Sequence, residues 1–210
     1  MSKKRYYITI NHFNGEDHTC CQTEDADGIT VYRRTKLTTS EFIIGDQIAI
    51  GHYTATCQWV DEKGALFLMD QYDDDPQRMN DDNSNEGGYE KSDLRRRLNN
   101  EESLKSIPDE IRKRMVPFEN GDLIRIPTVE EIFGEKECKN WCESLGGKQL
   151  PLMVDRKNRI AFRKNNFEWG WLQNKILDFA SIYANVYGNG LAVSRCASLV
   201  TGVRRALLIK

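Results

Sequence analysis

WGWLQNKILDFASIYANVYGNGLAVSRCASLVTGVRRALLIK, Trp169–Lys210, is the stretch on which the architecture of this chain turns. Its apolar runs Trp169–Leu172, Ser181–Val186, Leu191–Arg195 and Gly202–Ile209 carry the β-branched and aromatic enrichment of strands. Tyr187-Gly-Asn-Gly190 between two of them has the composition of a tight turn. The segment therefore reads as the structural heart of the domain, built of strands.

Working back from it, the middle of the chain is helical. Ser92 is a plausible N-cap for a helix through Asn99, with Leu94 and Leu98 four apart on one face. Pro108 suits a first helical position, and Ile111 and Met115 repeat the spacing before Pro117. Thr128-Val-Glu-Glu131 matches a capping box, and Glu135–Leu145 then reads as a helix ended by Gly146-Gly147. The first third returns to strands: Arg5–Phe13 and Gly28–Arg34 across a polar loop, then Asp46–Ile50, Thr54–Val60 and Ala65–Asp70. Asp61-Glu-Lys-Gly64 joins the last two as a hairpin. Asp73–Gly88, acidic and rich in Gly and Asn, reads as a long or mobile loop. Strands, helices, then strands is an α+β order in which the two ends can share one antiparallel sheet.

The 210 residues allow one large domain or two small ones, and 39% hydrophobic content is enough for a core. No apolar run approaches the roughly 20 residues of a membrane span, and the basic start Met-Ser-Lys-Lys-Arg lacks a following apolar region. The expectation is a soluble cytoplasmic protein whose six cysteines (Cys20, Cys21, Cys57, Cys138, Cys142, Cys196) are mostly buried free thiols. Charge is uneven: Asp70–Glu86 holds seven acids and one base, whereas Asp155–Lys210 holds ten bases and three acids. The simplest reading is that the two segments face each other or are both solvated.

Two features carry a resemblance. Tyr89-Glu-Lys-Ser-Asp-Leu-Arg-Arg-Arg-Leu-Asn99 precedes Trp169-Gly-Trp-Leu172, Gly188-Asn-Gly190 and Gly202-Val-Arg-Arg-Ala-Leu207. This resembles an uncharacterised domain family of bacteria and their phages, marked by an S-D-I-R…L-N helix, a W-W-L-R stretch and a closing G-V-R-P-A-L strand. Gln173, Tyr89 and Arg205 stand where that family has Arg, Trp and Pro. The late Trp stretch, glycine turn and closing strand are also similar to the C-type-lectin-like fold, including formylglycine-generating-enzyme-like domains. The resemblance implies a C-type-lectin-like α+β domain over residues 42–210, with a central antiparallel sheet in which first and last strands pair. Residues 1–41 would be an N-terminal β extension.

Several chemistries find little support. Cys138-x-x-x-Cys142 puts two thiols on one helical face, but zinc wants four ligands in short paired spacings, and His12, His18, Cys20 and Cys21 lie over a hundred residues away. Burial of Cys138, Cys142 and Leu145 together explains the spacing. Asp81-x-Asn83-x-Asn85 resembles a calcium loop, yet Glu86 replaces the required Gly and Ser92 the closing Glu. Only His12, His18 and His52 exist, and neither a nucleophile elbow nor a phosphate-binding glycine loop occurs. The copper-binding cysteine pair of a formylglycine-generating oxidase is missing, since Cys196 stands alone after Cys142. Arg95-Arg96-Arg97 cannot form one stripe on a helix, and a pI near 6 disfavours nucleic acid.

The reading is a noncatalytic binding or structural domain without metal or cofactor, its ligand an unknown protein or carbohydrate. Loops around Trp169–Asn174 and Tyr183–Gly190 would form the recognition surface: Trp169, Trp171, Asn174, Tyr183 and Tyr187, with Arg195 and Arg204 as polar anchors. Ion pairing of both arginines with the acidic loop is the competing account. The alternatives are an enzyme, favoured by a cleft gathering Asp or Glu beside His52, and a nucleic-acid-binding protein using the basic last quarter. Burial of both Trp169 and Trp171 would remove the aromatic part of the recognition surface.

Overall fold

The computed structural model describes the backbone of residues 5–9, 19–25 and 28–33, and then residues 42–210 without 140 and 165, with 138 and 167 as backbone only. The chain divides into two units, Met1–Glu41 and Phe42–Lys210. In the first, β1 (Arg5–Thr9), β2 (Thr19–Asp25) and β3 (Gly28–Arg33) form an antiparallel sheet in that order. Strand β2 replaces part of the expected polar loop. Residues 10–13 and the side chains of His12, His18, Cys20 and Cys21 lie outside the described residues.

The second unit is a mixed α+β assembly. Its main sheet contains β4 (Gln47–Ile50), β5 (Tyr53–Val60), β6 (Ala65–Met69), β7 (Ile124–Arg125) and the last strand, β13 (Ala206–Ile209). The order is β4-β5-β6-β13-β7, antiparallel throughout. The β5–β6 hairpin turns at Asp61–Gly64, as its sequence predicts. A hairpin of β8 (Phe162–Arg163) and β9 (Asn166–Phe167) leads to a second antiparallel sheet of β10 (Gly170–Lys175), β11 (Ile182–Val186) and β12 (Ala192–Cys196).

Strands β6 and β13 are apolar without alternation because both their faces are covered. Side chains of a strand point alternately up and down. Phe67, Met69, Leu207 and Ile209 accordingly enter one core with Trp171, Tyr183 and Ile107. Leu66, Leu68, Ala206 and Leu208 enter another with Val129, Ile132, Met153 and Leu172. The first core is roofed by α1 (Asp93–Leu98), which buries Leu94 and Leu98 and is capped by Ser92, whose Oγ accepts from the Arg95 amide at 3.1 Å. Two short helices follow, α2 (Glu101–Lys105) and α3 (Asp109–Arg112). The second core is closed by α4 (Val129–Phe133), opened by the Thr128/Glu131 capping box.

Three expectations are corrected. The helix expected over Glu135–Leu145 is only α5 (Glu135–Cys138): Cys142 then bridges Ile176, and the Glu143 amide donates to the Lys175 carbonyl at 2.9 Å. Pairing to the edge of β10 outcompetes helix propagation there. Cys142 is disulfide-bonded, while Cys57 and Cys196 are free. The Cys57 thiol is pushed up to about 11 by burial, which leaves it unreactive at neutral pH.

The acidic stretch after Asp73 is no free loop. Gln77 and Thr201 exchange backbone hydrogen bonds (2.9 and 3.0 Å), the Met79 amide donates to Ala197 O (2.9 Å), and Met79 is wholly buried. Its charge does meet the basic end, but through Arg205, whose Nε donates to Asp73 at 2.8 Å in a nearly buried pair.

The glycines of the Trp-Gly-Trp and Gly-Val-Arg motifs have a packing cause. Gly170 and Gly202 bridge each other beside the buried Tyr72 ring. A Cβ would stand 2.4 Å from Tyr72 at Gly170 and 2.6 Å from it at Gly202. Only a residue without a side chain leaves room for that ring.

Candidate functional site

The seven residues expected at a recognition surface separate into three environments. Trp171 and Tyr183 are core residues, 1% and 0% exposed, with the Trp171 indole Nε1 donating to Gln77 O at 2.8 Å. Asn174 is equally buried, its Oδ1 accepting from the Val129 amide at 2.7 Å and its Nδ2 donating to Glu130 Oε2 and Glu143 O, both at 2.9 Å. It ties β10 to the start of α4, so it anchors structure rather than a ligand. Burial is what sequence alone does not distinguish here, since aromatics and Asn on a strand serve equally in core and surface.

Trp169, Tyr187 and Arg195 do meet at the surface. Arg195 lies over the Trp169 ring, 3.8 Å from its centroid, and Tyr187 packs edge-on at 4.8 Å. The half-buried indole thus already has a cation on one face. Among the described residues no acid of the acidic loop forms a close ion pair with Arg195 or Arg204; Asp70 acts on Arg204 through space, and the close pair is made by the neighbouring Arg205 with Asp73.

Arg204 stands apart from the other six. It is 6% exposed, and Nε donates to Met69 O (2.6 Å) while Nη1 donates to Asn158 O (3.0 Å). Among the described residues no hydrogen bond reaches its Nη2 and no carboxylate pairs with it. Burial lowers its pKa, opposed by Asp70 among its neighbours. An arginine remains charged under such pressure.

This guanidinium lines a cleft of about 520 Å³. Thr56 and Gln58 of β5, Asp70 and Gln71 beyond β6, and a short turn over Pro151–Val154 form its base and sides. The helical turn α6 (Arg156–Arg159) contributes Lys157, and the β8–β9 hairpin Phe162 and Lys164. Arg163 braces that hairpin, its Nε donating to Glu168 at 2.8 Å. Asp70 accepts from the Thr56 hydroxyl at 2.7 Å, and burial still raises its carboxyl above the usual range. Three cations therefore surround the cleft against one carboxylate that is itself driven toward the neutral form. Gln58, Asp70, Lys157 and Lys164 were not among the residues expected from sequence. They come from four separated segments, and no local pattern in the sequence ties them together.

A second cleft of about 430 Å³ holds His52, Tyr53, Asp73, Asp74, Asp75 and Arg205. His52 Nε2 lies 3.1 Å from Asp74 Oδ2, and the Tyr53 hydroxyl accepts from the Asp74 amide at 2.9 Å. Both side chains of the His52–Asp74 pair are well exposed, 69% and 47%. Burial raises the carboxyl of Asp73, with Arg205 opposing. The arrangement gathers acids beside His52, as an enzyme would require.

Among the described residues, no group of three or more His, Cys, Asp or Glu side chains converges to hold a metal. The calcium-like triplet is otherwise employed: Asn85 Nδ2 donates to Phe179 O and Ile182 O (2.6 and 3.1 Å), and Asn83 accepts from Ser198 Oγ at 3.2 Å. No described helix is long and apolar enough to cross a membrane. No protein-family model, no curated protein and no solved structure matches this chain.

Proposed function

We propose that Phe42–Lys210 is a noncatalytic binding domain of C-type-lectin-like architecture whose ligand seat is the cleft at Arg204. The lectin-like part of this reading draws support from the last strand, β13, joining the sheet that β4, β5 and β6 begin, although it pairs with β6 and β7 and not, as expected, with the first strand. The binding part rests on one observation: a buried guanidinium held only by carbonyl oxygens, with Nη2 uncommitted, in a cleft of ligand size. A buried cation with no carboxylate bonded to it is costly; Asp70 of the same cleft is bonded to Thr56 and Gln47 instead, and an anionic ligand supplies the direct partner.

The test is a ligand-observed NMR screen of organic carboxylates, sugar acids and nucleotides. At least one class binds the wild-type chain. Lys157→Glu with Lys164→Glu, both on exposed positions, weakens that binding about tenfold or more while the melting temperature stays put. Binding unaffected by the double reversal sinks the assignment of the seat.

The His52 cleft supports a second reading, an enzyme that uses His52 as general base with Asp74 orienting its ring. It expects hydrolytic turnover of some ester or phosphoester panel substrate, reduced at least a hundredfold in His52→Gln. Turnover surviving that change removes the reading.

A further inference from the structure

The Arg204 cleft carries a more specific assignment, which rests on the reading that it binds an anion. Its informative member is Gln58. This side chain is 2% exposed, and its Nε2 donates to Thr56 O at 3.1 Å. Its Oε1 has no hydrogen-bond partner among the described residues. Buried amide oxygens are almost always partnered, and an orphan asks for an explanation. Gln58 lines the cleft, and its terminal torsion is soft enough for a bound ligand to draw Oε1 toward it. The cleft thus offers an uncommitted donor on Arg204 and an uncommitted acceptor on Gln58.

The remaining walls narrow the ligand. Leu152, Met153, Ile160 and Phe162 contribute an apolar side, with Phe162 41% exposed. Lys157 and Lys164 add positive charge at exposed positions. Inorganic phosphate satisfies the cations but brings no apolar part for the apolar wall. A sugar acid brings hydroxyl donors, yet would press its polar rim against Leu152 and Ile160. A simple fatty carboxylate suits the wall and the cations but leaves Gln58 orphaned.

We propose that the cleft takes an N-acylated α-amino acid with an apolar side chain. Its carboxylate meets Arg204 Nη2 and the two lysines, its amide N–H meets Gln58 Oε1, and its side chain lies on Leu152, Ile160 and Phe162. The same chemistry is offered by a free acylated amino acid and by the C-terminal residue of a peptide. Recognition follows the rule for small-ligand sites: an apolar wall gives contact area while a few fixed polar groups decide orientation.

The experiment is calorimetric titration of the full chain with N-acetyl-L-leucine, N-acetyl-L-leucinamide and 4-methylpentanoate. N-acetyl-L-leucine binds saturably, and the amide, which lacks the carboxylate, binds at least tenfold more weakly. In Gln58→Met, affinity for N-acetyl-L-leucine falls about tenfold, whereas that for 4-methylpentanoate, which lacks the N–H, is unchanged. A folding check by thermal melt accompanies the variant, and the unchanged 4-methylpentanoate value independently shows an intact seat. A tetrapeptide ending in leucine separates the sources: tighter binding than N-acetyl-L-leucine assigns peptide C termini, weaker binding the free compound. Equal losses for both ligands in Gln58→Met overturn the role of Gln58 and with it the proposal. If galacturonate or phosphate binds through Lys157 and Lys164 and N-acetyl-L-leucine does not, this inference falls while the binding reading stands. If no anion binds, both fall.

Discussion

Trp171→Ala lowers the free energy of unfolding by about 3–5 kcal/mol, the range for removing a large buried aromatic. The indole is among the largest fully buried side chains. It meets Tyr183 edge-on at 6.4 Å between centroids. Its Nε1 donates to Gln77 O at 2.8 Å, so the substitution both opens a cavity and removes one of the two donors to that carbonyl, the other being the Thr201 amide. Urea denaturation reads the effect as a fall in midpoint at nearly constant slope. Trp169→Ala, on a half-buried ring shared with Arg195 and Tyr187, costs distinctly less. Equal costs at the two tryptophans would refute the division of this motif into one core and one surface ring.

The second large effect lies at the start of α4. Arg125 and Glu131 form a bidentate pair, with Nη1 donating to Oε2 at 2.7 Å, and their side chains are 12% and 14% exposed. Glu131 Oε2 also accepts from the Thr128 amide at 3.0 Å, completing the capping box. Removing one partner of a buried pair strands the other charge, so Glu131→Ala costs about 3–5 kcal/mol. Burial alone would raise the Glu131 carboxyl. Arg125, by charge and hydrogen bond, and the Thr128 amide outweigh it, and the pKa is lowered. A carboxyl that is more acidic in the folded state stabilises fully above its unfolded value, about 4.3. That stabilisation is lost as pH falls through the lower folded value. The wild-type chain therefore loses stability on acidification below about pH 4.3, and Glu131→Gln shows a flatter profile in that window. Denaturant melts between pH 2.5 and 6 compare the two. Parallel profiles would assign the acid response to other carboxylates.

Local rules placed what depends on neighbours in the chain. The Ser92 cap with Leu94 and Leu98, the Thr128/Glu131 box and the Asp61–Gly64 hairpin each rest on a few consecutive residues, and each forms as read. The order of strands and helices likewise led to the mixed α+β class. Residues 141–145 went wrong because a good helical pattern lost to pairing with the edge of β10 at Cys142 and Glu143. The acidic stretch went wrong because its composition says nothing of the backbone bonds it makes to residues 197–203.

The closing segment shows the same division within one motif. Sequence by itself determined that Trp169–Lys210 is mainly strand, with a glycine turn at Tyr187–Gly190. Only the tertiary structure decided that Trp171, Asn174 and Tyr183 turn inward. It alone put Arg204, out of seven expected contacts, in a cleft with Gln58, Asp70, Lys157 and Lys164. The reason is physical: period and propensity act over a few residues, whereas burial and the convergence of polar groups depend on which distant strands pack together.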